Sequence, residues 1–254
     1  MILKTDRGQD LTGRPKTWRD RPPLPPAFHL EPGDERQARG DVLLLLAWGN
    51  VALHGAALVL TWFGLRPGSA LVSLSDRMGY LAGRPSAWTW GWLLWMLCTL
   101  LLVAFMAVLR QALPARSAMA QLALVLTAAG MAIDLLCDVI QIQVLPLLAA
   151  GGGMRATSFL AFERLAFTGG ATAANGLYTA GVLLMTVRLR GRMGAPATLT
   201  GAATTVAGAG MALAGLLTSA ELLAVFTGPT IGFYSLWTVL VARDLGRRAH
   251  PARP

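Results

Sequence analysis

Charge is what this chain has least of. Only 14% of its residues are Asp, Glu, Lys or Arg, against 54% apolar, and mean hydropathy is +0.53. That balance excludes a water-facing globular surface as the main architecture for 254 residues. Lysine is scarcer still, with Lys4 and Lys16 the only two among 22 basic residues. Together with abundant Ala, Gly, Leu and Pro, this usage suggests a GC-rich bacterial coding sequence. Cysteine is limited to Cys98 and Cys137, both inside apolar stretches, so neither a disulfide framework nor a cysteine-rich metal site is expected. His54 is the only histidine within an apolar segment, which excludes haem ligation by two membrane histidines of this chain. The sequence also lacks GxSxG with a histidine partner, HExxH and a glycine-rich phosphate loop. No catalytic residue, cofactor or bound metal is therefore expected.

What the chain has instead is long apolar runs. They predict an all-α fold, a polytopic membrane protein built as a bundle of six transmembrane helices. The spans are expected at about 42–65, 88–109, 118–142, 162–187, 199–219 and 221–241. Residues 1–41, rich in Pro and Arg, read as a disordered cytoplasmic tail, and 243–254 as a basic cytoplasmic tail. The loop 66–86 contains a piece, 70–81, amphipathic enough to lie along a membrane surface. Trp88, Trp90, Trp92 and Trp95 open the second span, where a lipid–water boundary favours them. The third helix runs on to about Ala149, roughly 48 Å, so it must tilt, break near Pro146 or project from the bilayer.

The net charge of +9 is distributed as a membrane chain requires. With both ends inside, 17 Lys/Arg lie on the inner side and five outside: Arg66, Arg77, Arg84, Arg155 and Arg164. The expected location is the bacterial inner membrane, with lipid as the main partner. A membrane-protein partner or a second copy of the chain is compatible with this, whereas no basic face interleaved with aromatics invites nucleic acid.

Against this apolar background stands Gly130–Pro146. Asp134, Asp138 and Gln141 follow one another at spacings of four and three, which puts them on one helical face. A carboxylate near the bilayer centre costs roughly 2.5–3.5 kcal/mol on insertion scales, so two of them mark a functional face or a strong structural need. Folding the third and fourth helices about Gly153 sets Asp138 level with Thr168 and Asp134 level with Thr172. Thr168, Thr172, Asn175 and Thr179 then form a polar stripe expected to face the aspartates, either as a site or as hydrogen-bonding glue between helices. Asn50 and His54, one turn apart on the first span, and the neighbours Glu163 and Arg164 are secondary candidates. Arg164 is expected to snorkel outward, and Glu163 points about 100° away from it.

Gly130, Asp134 and Asp138 spell GxxxDxxxD, half of the metal-binding signature of CDP-alcohol phosphotransferases. The other half, DxxDGxxAR, has no counterpart in Arg116–Gln121, so no sites carry over. The run Gly176–Thr186 (GLYTAGVLLMT), with the six-span layout and polar third helix, resembles small six-span bacterial integral membrane proteins of unknown function. That resemblance implies an architecture and no activity. Three functions stay open: an accessory or structural membrane component, a small transporter or proton-coupled permeation protein using Asp134 and Asp138, and a membrane-embedded enzyme with a carboxylate-bound divalent metal.

Overall fold

The computed structural model describes residues 32–83, 85–114 and 116–249, with side chains described within 37–247. The chain divides into two units, 1–35 and 36–254. Of the first, only the opening turn of a helix is described. The expected disordered tail therefore lies outside the described residues as far as position 31, as do Arg84 and residues 250–254. The second unit carries the rest of the described structure.

The described residues are all-helical, 91% helix with no strands among them. Helix α1 (Pro32–Leu60) leads into α2 (Leu74–Ala82), α3 (Ser86–Gln111), α4 (Ala118–Val139), α5 (Leu145–Ala149), α6 (Ala156–Thr168), α7 (Asn175–Leu189), α8 (Ala195–Leu216) and α9 (Ala220–Ala249). Five helical stretches are long and apolar enough to cross a membrane: Gln37–Gly68, Ser86–Gln111, Ala118–Ala149, Ala195–Leu216 and Ala220–Arg247. The expected fourth span is not among them. Residues 156–189 are helical throughout, but Gly, Thr and Asn dilute their apolarity, and α7 packs between α4 and α8. Protein rather than lipid surrounds its polar residues.

Two helix ends differ from the sequence reading. Helix α1 opens at Pro32, ten residues before the expected span, because Pro at a first turn gives up only a donor that has no helical partner there. Helix α9 runs through most of the expected basic tail, and Pro229 lies inside it without ending it. Between α8 and α9 the chain reverses in three residues. Ser219 donates its N–H to Ala214 and Thr218 to Gly215, with Thr218 in the left-handed region at φ 51°. This is a Schellman closure carried by Thr where Gly is usual. The Ser219 hydroxyl then accepts from Leu222 N–H and starts α9.

Three π segments interrupt the helices, at Thr61–Leu65, Ile140–Val144 and Gly169–Ala174. The second explains how the third helix passes Pro146 without breaking. In the π register Leu145 donates to Ile140, so the next carbonyl, Gln141, would look to residue 146, a proline with no N–H. The indole of Trp88 donates to that carbonyl instead, at 2.7 Å. A tryptophan expected at the lipid boundary is thus buried in the bundle, and among its neighbours Trp90 alone is strongly exposed.

The surface piece 70–81 contains α2, capped by Ser73, whose hydroxyl accepts from Asp76 N–H. Met78 and Leu81 are buried with Leu145, Ala149 and Phe159, so its apolar face is covered by the bundle. Tyr80 donates to Gly64 O at 2.6 Å, and partial burial raises its phenol above the ordinary range.

Candidate functional site

Asp134 and Asp138 both point into the bundle from α4, but their surroundings differ. One oxygen of Asp134, Oδ2, accepts from Thr99 on α3 at 2.9 Å and from Tyr178 on α7 at 3.2 Å. Three helices are therefore joined at a single oxygen. The other, Oδ1, faces Gly170, where a Cβ would stand 3.5 Å away. Asp138 is 2% exposed, and its Oδ2 is buried with no hydrogen-bond partner. Beside it, Cys137 faces Gly169, so closely that a Cβ there would stand 2.6 Å from the sulfur.

The polar stripe does not face the aspartates. The depth match about Gly153 is approximately right, since Cys137 meets Gly169 and Asp134 meets Gly170, but glycines stand where threonines were expected. Thr172 turns to α8 and donates to Ala212 O at 3.2 Å. Asn175 donates its side-chain amide to Gly170 O of its own helix at 2.9 Å, beside the backbone N–H of Asn175 that the same carbonyl accepts. Thr168 is half-buried and makes no hydrogen bond to either aspartate among the described residues. Gln141 is buried, and its backbone carbonyl rather than its amide carries the contact with Trp88. The physical reason is the π segment Gly169–Ala174. One extra residue in a turn rotates everything after it by about 100°, so an α-helical spacing of four, three and four does not hold one face across it.

Thr99 and Tyr178 are the partners that sequence reasoning missed. Both carried a signal. Thr99 is a hydroxyl in the otherwise apolar run from Leu97 to Val103, and Tyr178 follows Asn175 by three, on the next turn of the same face.

Of the secondary candidates, Asn50 and His54 are buried and tie α1 to the bundle. Asn50 accepts from Tyr234 at 3.3 Å and donates to Leu46 O, while His54 Nδ1 lies 2.9 Å from Asn50 O. The His54 ring packs 5.5 Å from Tyr234 and 6.1 Å from Trp95, centroid to centroid. Arg164 is exposed. Glu163 forms an ion pair not foreseen from the sequence, with Arg77 of α2 at 2.9 Å. Arg77 also donates to Val72 O at 2.8 Å. An arginine of α2 and an acid of α6 thus hold the two helices together.

A second seam runs between α7 and α8. Thr172, Thr179 and Thr186 fall seven residues apart, as do Gly215, Gly208 and Gly201 on the antiparallel helix. Each threonine hydroxyl occupies the space where a Cβ of its paired glycine would stand: Thr172 at Gly215, Thr179 at Gly208 and Thr186 at Gly201. Small residues thereby let two backbones approach along most of α8. At its last step Thr186 Oγ1 and Trp237 Nε1, both against Gly201, are buried without partners.

No protein-family model matches this chain, and neither does any curated protein or solved structure.

Chemically, the acidic seam joins helices and offers little else to a ligand. Among the described residues no three His, Cys, Asp or Glu side chains converge as metal ligands. A surface cleft lies elsewhere, between the start of α1 and the end of α9.

Proposed function

We propose that the chain is a six-span inner-membrane protein serving as an accessory or structural component, its buried polar residues holding helices together. The carrying observation is the occupation of Asp134: both donors that reach its Oδ2 come from neighbouring helices. An acid committed in this way is a joint between α3, α4 and α7. The Thr–Gly seam performs the same task between α7 and α8.

The sixth crossing is supported by extent. Thr172 to Thr186 pair with Gly215 to Gly201 of α8, and Gly181 and Gly130 pack against Thr127 and Tyr178 across the α4–α7 contact. A helix flanked along its length by two membrane-spanning neighbours crosses the same slab. Both ends inside is the orientation supported by the arginines at 110, 116, 188, 190 and 192, all at turns on the same end as the start of α1 and the end of α9. Met154, 98% exposed at the opposite turn, allows a check. A thiol-reactive probe that cannot cross the membrane should label Met154→Cys from outside and Gly191→Cys only after permeabilisation.

A small proton-coupled transporter is the second reading, favoured by one feature: the unpartnered Oδ2 of Asp138 beside two π segments, a device frequent at functional sites. Flux in proteoliposomes separates the two. The accessory reading predicts proton and ion leak no greater than in protein-free vesicles. Flux that Asp138→Asn abolishes, with folding intact, would establish transport instead.

A further inference from the structure

The cleft between α1 and α9 is distinct from both seams. It is a shallow, open cleft of about 480 Å³, lined by Gln37, Gly40, Asp41 and Leu44 on α1 and by Ala242, Arg243, Gly246 and Arg247 on α9. Its charged groups are uncommitted. Arg243 and Arg247 stand one turn apart on the same face, and neither they nor Asp41 has an ion-pair partner among the described residues. Both signs of charge share one cleft without neutralising each other. The floor is apolar, Leu44 and Ala242, and on α1 it continues into the exposed Leu45 and Trp48. The two helices approach at Gly40, where a Cβ would stand 3.7 Å from Gly246 Cα, whereas a Cβ on Gly246 itself would meet nothing within 4 Å.

From this arrangement the geometry points to a phospholipid site selective for a phosphoethanolamine headgroup. The two guanidiniums receive the phosphate, Asp41 takes the primary ammonium, and the acyl chains leave over Leu44 toward the lipid-facing side of α1. Guanidinium pairs suit phosphate because they present planar, bidentate donors. A carboxylate in the same cleft repels a purely anionic headgroup and favours one with an N–H donor. Choline, whose ammonium has no N–H, satisfies Asp41 less well. The position fits as well, because the cleft lies at the arginine-rich end of the bundle, where headgroups meet a spanning helix.

The test uses the full chain purified in detergent and supplied with equal amounts of phosphatidylethanolamine, phosphatidylglycerol or phosphatidylcholine, with retained lipid counted by native mass spectrometry. Ethanolamine lipid should be retained in preference to the other two. R243A/R247A should lower its retention by about tenfold or more, D41N should remove the preference over phosphatidylglycerol, and G246L should block retention while leaving thermal stability intact. Soluble phosphoethanolamine and inorganic phosphate form the control arms. Displacement of the lipid by either at similar concentration would assign the cleft to a free phosphate compound and overturn the lipid assignment. Equal retention of all three lipids, unchanged in R243A/R247A, would likewise overturn the site. The inference rests on the bundle lying in lipid, a premise that fails separately if the chain is stable in water without detergent.

Discussion

The α7–α8 seam and the acidic seam of α3, α4 and α7 solve the same problem differently. Both bury polar groups in an apolar bundle. Along α7–α8 the solution is periodic: one hydroxyl against one glycine every seven residues, with close backbones and no charge. Around α4 it is singular: one carboxylate oxygen accepts two hydroxyls from different helices, and one oxygen of a second carboxyl a turn away is buried without a partner among the described residues. A periodic seam spreads its stabilisation over many contacts, whereas a singular one concentrates it in a few residues. The two should therefore fail differently.

The largest effect is expected at the middle of the periodic seam. Gly208→Leu forces a side chain into the place of the Thr179 hydroxyl and separates the two helices, costing about 3 kcal/mol. A large drop in the thermal midpoint in detergent checks it, with Gly246→Leu, which faces open space, as the control that should not move. At the singular seam, Asp134→Ala strands two hydroxyl donors and should cost about 2 kcal/mol. Asp134→Asn, which keeps an acceptor oxygen, should cost under ~1 kcal/mol. Were both Asp134 variants equally damaging, charge rather than hydrogen bonding would hold the joint. A loss of about 1.5 kcal/mol is expected for Trp88→Phe, which removes the donor to Gln141 O together with the five-membered ring of a buried indole; denaturant titration of the purified protein would measure it. Thr218→Gly should raise stability by about 1 kcal/mol by relieving a β-branched residue in the left-handed region, outside both seams, and calorimetry would show the gain.

The same contrast explains what could be read from the sequence. Apolar run length located five of the six expected spans, and the spacing of Asp134, Asp138 and Gln141 put them on one face of α4 and its π segment, because a regular helix links spacing to direction; Asp138 and Gln141 are buried on it. The partners of Asp134 were not, since Thr99 and Tyr178 reach it from positions 35 and 44 residues away, and nothing local encodes that meeting. Thr172 and Asn175 were misdirected by the π segment, whose extra residue breaks the relation between spacing and face. The Arg77–Glu163 pair, 86 residues apart, depended on how α2 folds back, which its own amphipathicity did not reveal.

A double-mutant cycle between Asp134 and Tyr178 tests the central claim most directly. Stabilities of Asp134→Asn, Tyr178→Phe and the double variant would be measured in the same detergent. If Asp134 is a joint between helices, the cycle returns a coupling of about 0.5–1.5 kcal/mol and every variant leaves vesicles as tight as wild type. Zero coupling, with a wild-type proton flux that Asp134→Asn abolishes, would show instead that the acid serves permeation.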